Sequence, residues 1–210
     1  MSTPTDRADR IAHIETELWE AYYKREWLRE FRLLVAMHRE FMGMSLSTAV
    51  AASYLAARAA IAFAPLVASV LDSGRGYLVR YYNIVRRALG STTGAADLAG
   101  RELHYWVVHR AEARRRLDEV AGGRPVDDPP IEEIAPVSDA FANLHAGLFN
   151  STPEAMRESG LYRAQAAAIV DRISGRYSPD VADDWRRVEE QLRLAYRAIE
   201  TVTQREREVV

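Results

Sequence analysis

The sequence predicts an all-α fold, a single domain of about six or seven mostly antiparallel helices. Three observations carry the prediction. Apolar residues recur at three- and four-residue spacing along nearly the whole chain. No segment alternates apolar and polar residues as a half-buried strand would. Gly, Pro and Ser interrupt the pattern at intervals of about one helix length. The chain has 210 residues, 48% hydrophobic and 28% charged, which suits one globular unit over 1–210.

Residues 6–42 carry the first stripe: Ile11, Ile14, Leu18 and Tyr22, then Leu28, Phe31, Leu34, Val35, His38, Phe41 and Met42. The stripe drifts around Tyr23–Glu26, which predicts a bend or two consecutive helices, and Gly43 closes the segment as a C-terminal cap. Ser45 or Ser47 caps the next helix, which runs to about Phe63. Nine of the sixteen residues from Ala49 to Ala64 are alanine, so neighbouring helices can approach it closely, and it is expected at the centre of the bundle. Pro65 ends or kinks it, because proline lacks the amide donor.

Residues 66–89 read as a short helical piece, a turn at Asp72–Gly76, and a helix carrying Tyr77, Leu78, Tyr81, Ile84, Val85 and Leu89. After a break at Gly90–Gly94 comes a long helix over Ala95–Val120. The breaker-rich stretch 121–130 is the longest loop and the expected flexible segment. Ile131–Phe149 is the next helix, with Val137, Phe141, Leu144 and Leu148 as its stripe and Pro136 at its start or at a kink. Ser151 or Thr152 then caps a helix with Pro153 in its first position, reaching Ile173. Ser178-Pro179-Asp180 opens the last helix. Its Val181, Trp185, Val188, Leu192, Ala195, Ile199 and Val202 form a four/three seam, as in an antiparallel helix pair or a homodimer through 181–202. The ends, 1–6 and 204–210, are expected to fray.

Composition removes several classes of function. There is no cysteine, which excludes disulfides, thiolate metal sites and cysteine nucleophiles, and fits a cytoplasmic protein. The formal net charge is -2 and Lys24 is the one lysine, so no basic surface points to nucleic acid. The start of the chain lacks the apolar run of a signal peptide. Leu46–Leu71 is long enough to cross a bilayer, but alanine dominates it, Arg58 falls inside it and Pro65 interrupts it, so a buried helix rather than a membrane span is expected.

The residues with chemical potential cluster on the long helix. Glu102 and His109 are two turns apart on one face, with Trp106 between them and Leu117 beyond. A carboxylate and an imidazole so placed can form an acid–base pair, ligate a metal, or simply be buried and hydrogen-bonded. Arg58, on or near the packed side of the alanine helix, needs a carboxylate partner there, and Glu102 and Asp171 are the expected ones. Asp171 lies in line with Gly160, Ala164 and Ala167, a small-residue face that either packs tightly or borders a cavity. As a catalytic set these are Glu102, His109, Arg58 and Asp171. As a metal set they are Glu102 and His109 with Glu17 or His38 from the first helix, for iron, manganese or zinc.

His13 and Glu17, four apart, are expected as an exposed pair, His38 and His145 as structural residues on apolar stripes, and His104 as exposed. Asp180, Asp183 and Asp184 can hold Mg²⁺ for a diphosphate substrate or merely complement the helix dipole. There is no Gly-rich phosphate loop, no His-Glu-x-x-His, no Gly-x-Ser-x-Gly and no Glu-x-x-His pair of the di-iron kind. Two functional readings follow. The first is a helical protein that self-associates or binds a partner, with a buried polar centre. The alternative is a helical enzyme or ligand carrier with an internal metal or acid–base site, oxidoreductase-like, or less favourably a Mg²⁺-dependent diphosphate enzyme.

Overall fold

A computed structural model describes residues 6–63 and 68–208, with side chains over 6–63 and 74–206. Among the described residues there are eight helices and no strand, rather than six or seven helices: α1 Arg7–Tyr23, α2 Trp27–Met42, α3 Leu46–Phe63, α4 Ala68–Leu89, α5 Ala95–Ala121, α6 Ile131–Phe149, α7 Arg157–Ser174 and α8 Val181–Glu208.

Each helix packs on its successor, and α8 packs back on α1. The polar ties between neighbours fix their directions. Arg7 at the start of α1 donates to Phe41 O at the end of α2 at 2.8 Å. Arg101 early in α5 reaches Asn143 O late in α6 at 2.7 Å. Arg197 late in α8 reaches Asp9 at the start of α1 at 3.1 Å. Antiparallel neighbours that close on the first member make an up-and-down ring, so the inward stripe of every helix faces a common interior.

The breaks follow local chemistry. The drift at Tyr23–Glu26 is a chain reversal between two separate helices, with Arg25 at φ 59°. Gly43 ends α2 in the left-handed region at φ 64°, where glycine has no Cβ to clash. Ser45 caps α3, its Oγ accepting from Thr48 N at 3.3 Å. Asn150 ends α6 at φ 55°. Its amide bridges two connections, accepting from Thr92 N at 2.7 Å and donating to Gly90 O at 2.9 Å.

Several expectations need correction. The turn expected at Asp72–Gly76 lies inside the continuous helix α4. A Cβ on Gly74 would stand 3.6 Å from the Ala62 Cβ and 3.7 Å from Ala59 O. Those are ordinary contact distances, so glycine there neither breaks the helix nor is demanded by the α3–α4 packing. Pro65 lies outside the described residues. The helix expected from Pro153 begins at Arg157 instead, because Thr152 caps a separate turn, its Oγ1 accepting from Ala155 N at 3.2 Å. Pro136 lies inside α6. At the C-terminal end α8 continues to Glu208 through Gln204, Arg205 and Glu206, good helix formers with no breaker among them.

The 121–130 loop is tied at both ends. Arg124 donates to Glu133 at 2.8 Å, and Asp128 accepts from Arg172 at 2.9 Å and also pairs with Arg187. The α8 seam is spent within the chain: Val188, Leu192, Ala195 and Ile199 are buried, and Val188, Leu192 and Ile199 share a core cluster with Ile11 of α1 and Ile169 of α7. Those residues therefore serve the antiparallel pairing, while Val181 at the start of the seam is exposed. Among the described residues α3 alone is long and apolar enough to cross a membrane, and it sits in the ring between α2 and α4.

Candidate functional site

The interior of the ring is a cavity of about 570 Å³ to which all eight helices contribute side chains. It lies in the size range of small-molecule sites. Its walls are rich in aromatic side chains: Trp19, Phe41, Phe63, Tyr81, Tyr82, Tyr105, Trp106, Phe141, Phe149 and Tyr196 all face it. Alanines 56, 57 and 60 of α3 and Ala113 and Ala167 opposite make room for it. The alanine run expected to bring helices together thus does two jobs, close packing on α4 and clearance on the inner face. Tyr22, Tyr23 and Ala60 line the cavity and are also exposed, so it reaches solvent between the ends of α1 and α3.

Four polar centres stand in this aromatic shell. In the first, Glu102 accepts a hydrogen bond from the Tyr82 hydroxyl at 2.8 Å. Burial pushes the Glu102 carboxyl above its ordinary range, against the pull of the Tyr82 and Trp106 donors and the field of Arg163. Burial, and then the neighbouring carboxylate, push the Tyr82 phenol well up, so it stays a proton donor.

The second centre joins three helices. Arg163 of α7 grips Glu15 of α1 with two bonds, 2.9 and 2.6 Å, and Tyr196 of α8 donates to the same carboxylate at 2.5 Å. The guanidinium lies 5.1 Å from the Phe141 ring centre, within cation–π range.

In the third, His109 donates from Nε2 to Asp171 Oδ1 at 3.0 Å, and Arg116 holds the other Asp171 oxygen. The Tyr105 ring stacks on His109 at 6° between planes, with its hydroxyl 3.4 Å from Nδ1.

The fourth is a pair of buried imidazoles. His38 donates from Nδ1 to Leu34 O at 2.7 Å and accepts at Nε2 from the Tyr81 hydroxyl at 3.1 Å. Burial lowers its pKa to about 4. Ser159 donates to Met156 O at 2.8 Å, so its oxygen accepts from His145 Nδ1 at 2.9 Å. That leaves Nε2 of His145 as a lone-pair acceptor in the cavity wall. Burial, and then the charge of Arg163, lower His145 to about 3, so it is neutral at any ordinary pH.

The expected site is therefore assembled only in part. Glu102, His109, Asp171 and Trp106 line one cavity, and His38 joins them. Arg58 does not. It is exposed, bonded to the Tyr77 hydroxyl at 2.8 Å and the Tyr54 hydroxyl at 3.2 Å. The reason is register. Arg58 lies on the outer stripe of α3 with Val50, Tyr54 and Ile61, about a third of a turn from the buried Ala52, Ala59 and Phe63. Arg116, nearly buried, takes the role expected of it at Asp171. Leu117 is 42% exposed and lies off the cavity face.

The metal set does not assemble either. Glu17 is engaged outside the cavity by Arg29 at 2.8 Å and by His13 at 3.9 Å, the exposed pairing expected of it. Among the described residues no group of three or more His, Asp or Glu stands together as a metal site would require. The Asp180–Asp184 cluster is consumed by the fold. Asp180 caps α8 by accepting from Asp183 N at 3.0 Å, and Asp184 is gripped by Arg172 and Ser178.

Glu15, Arg163 and Tyr196 were not singled out in the sequence. Each occupies an inward position of an otherwise apolar stripe: Glu15 between Ile11 and Leu18, Tyr196 between Leu192 and Ile199, Arg163 between Gly160 and Ala167. A charged or phenolic side chain at a core position was the available signal.

Comparison with protein-family models, with curated proteins and with solved structures finds no match to this chain.

Proposed function

We propose that this chain is a small-molecule-binding helical protein whose ligand sits inside the ring, an oily or aromatic molecule with at least one polar group. The observation that carries the reading is the aromatic cavity of about 570 Å³, framed by all eight helices and holding Glu102, His145 and the Glu15–Arg163–Tyr196 centre. Because the cavity opens to solvent, a guest entering it exchanges water for aromatic and aliphatic walls, and that burial of apolar surface is the driving force for binding. A fold that keeps such a space is built to hold a guest in it.

The polar groups also suit acid–base work on that guest. Glu102, raised by burial, can donate a proton, and the bare Nε2 of His145 can accept a hydrogen bond. The carrier and the enzyme forms of the reading share this site. Fluorescence titration with N-phenyl-1-naphthylamine, a neutral dye that brightens in apolar surroundings, tests it. Saturable brightening with one dye per chain is expected, and the absence of saturable brightening counts against an internal site.

The partner-binding reading keeps one observation of its own. The outer face of α3 exposes Leu46 at 58%, Val50 at 42%, Tyr54 at 51% and Ile61 at 67%. Such a row on one helix is the kind of surface that association covers. Light scattering on Ile61→Asp, compared with the wild type, tests it: a mass unchanged between the two removes that face as a self-association surface.

A further inference from the structure

The cavity's charges do not balance, and the imbalance identifies a ligand class. Its wall carries four carboxylates, Glu15, Glu30, Glu102 and Asp171, against two guanidinium groups, Arg110 and Arg163. Glu15 is satisfied by Arg163, and Asp171 by Arg116 reaching in from behind the wall. Arg110 lies over the Phe63 ring at 4.2 Å and reaches Phe63 O at 3.4 Å, at the rim. Glu102 and Glu30 remain, and among the described residues neither has an Arg, Lys or His within ion-pair distance. Glu102 is the telling one. The Tyr82 hydroxyl donates to it at 2.8 Å and the Trp106 indole also favours its charged form, but both donors are neutral and neither supplies a counter-charge.

A carboxylate set in an apolar cavity wall without a counter-ion is costly, and it can be relieved by protonation or by a cation. The surroundings favour the cation. Tyr82, Tyr105, Trp106 and Phe63 line the same cavity, and an aromatic face attracts a positive charge through its electron-rich surface. A box of rings with one uncompensated carboxylate is the recognition chemistry of an alkylated ammonium group. The protein's own cations are excluded from that role, since Arg163 is held by Glu15 and Tyr196.

Resting on the internal-site reading above, we propose that the cavity takes a lipophilic organic cation, an amine or quaternary ammonium compound, whose charged nitrogen pairs with Glu102 inside the aromatic shell.

Calorimetric titration with benzyltrimethylammonium and with its neutral carbon isostere neopentylbenzene, on wild type and Glu102→Gln, tests this. Benzyltrimethylammonium carries a permanent charge, so its own protonation does not enter. The expected result is that the wild type binds the cation at least about tenfold more tightly than the isostere, and that Glu102→Gln removes that preference while still binding the isostere. Equal binding of the two compounds by the wild type overturns the cation proposal and leaves the internal site standing. So does a preference for the cation that survives Glu102→Gln. Binding of neither compound overturns both the proposal and the internal site. Circular dichroism shows whether Glu102→Gln is folded, and if it is not, the wild-type ratio alone decides.

Discussion

Glu15→Ala cuts the one polar centre that joins α1, α7 and α8. Glu15 is 6% exposed, and the Arg163 side chain is 13% exposed. The substitution removes two charge-assisted bonds, at 2.9 and 2.6 Å, and strands the guanidinium in the aromatic wall with its Nε already lacking a partner. It also leaves the Tyr196 hydroxyl without its acceptor at 2.5 Å. Breaking a buried pair on one side costs about 3–5 kcal/mol, a third or more of an ordinary domain's stability. Removing both charges is different. Glu15→Leu with Arg163→Met replaces the pair by apolar groups of similar reach, and the double variant is expected within about 1–2 kcal/mol of wild type. Urea denaturation of the wild type, the singles and the double closes a thermodynamic cycle. A cost for Glu15→Ala under about 1 kcal/mol, or a double variant as damaged as the worse single, would refute the reasoning that this ion pair is buried and mutually dependent.

Three further outcomes follow from the same physics. His38 and His145 are neutral when folded, at about 4 and about 3, whereas an unfolded histidine titrates near 6.5. Below pH 6.5 the unfolded chain gains protons that the native state refuses, so stability falls with falling pH, by about 2 kcal/mol per histidine at pH 5. Urea midpoints across that range are expected to slope accordingly, and His38→Gln is expected to flatten the slope. Gly160→Ala puts a Cβ 2.4 Å from Ser138 O and 3.0 Å from Ala142 N, so α6 and α7 must part, at about 1–3 kcal/mol in the same assay. An unchanged midpoint would mean that the two helices are not in that close contact. Glu102→Gln is expected to stabilise the ligand-free protein at neutral pH, read as a higher melting temperature. The folded carboxyl is raised, so its contribution is lost as pH rises through that value, and glutamine has nothing to lose. A lower melting temperature would show that the carboxylate is paid for in the fold itself.

The helical pattern was legible wherever an apolar stripe met a capping residue, as at Gly43, Ser45 and Asp180. It misled where a residue's ordinary meaning depends on its neighbours. Gly74 reads as a breaker, but within the helical run of α4 it does not interrupt the helix. The seam of α8 reads equally as an intramolecular or a dimer contact, and local periodicity does not report that α1 packs on it. The polar centre was half legible. The spacing of Glu102, Trp106 and His109 put them on one face, and the small residues around Asp171 pointed to a cavity edge. Arg58 was misplaced because α3 is apolar all round, so its sequence does not say which side is buried. The Glu15–Arg163–Tyr196 centre spans 181 positions between Glu15 and Tyr196, a separation that no local periodicity reports.

The most direct test of an internal ligand site fills it. Ala57 lines the cavity from α3, and Ala51 is exposed on the same helix. Titration of N-phenyl-1-naphthylamine into wild type, Ala57→Phe and Ala51→Phe, with melting temperatures measured alongside, separates occupancy of the cavity from damage to the fold. One dye bound by wild type and by Ala51→Phe, with binding weakened at least about tenfold in a folded Ala57→Phe, is the predicted result. Equal dye binding by all three proteins would place the dye on the surface and contradict the account.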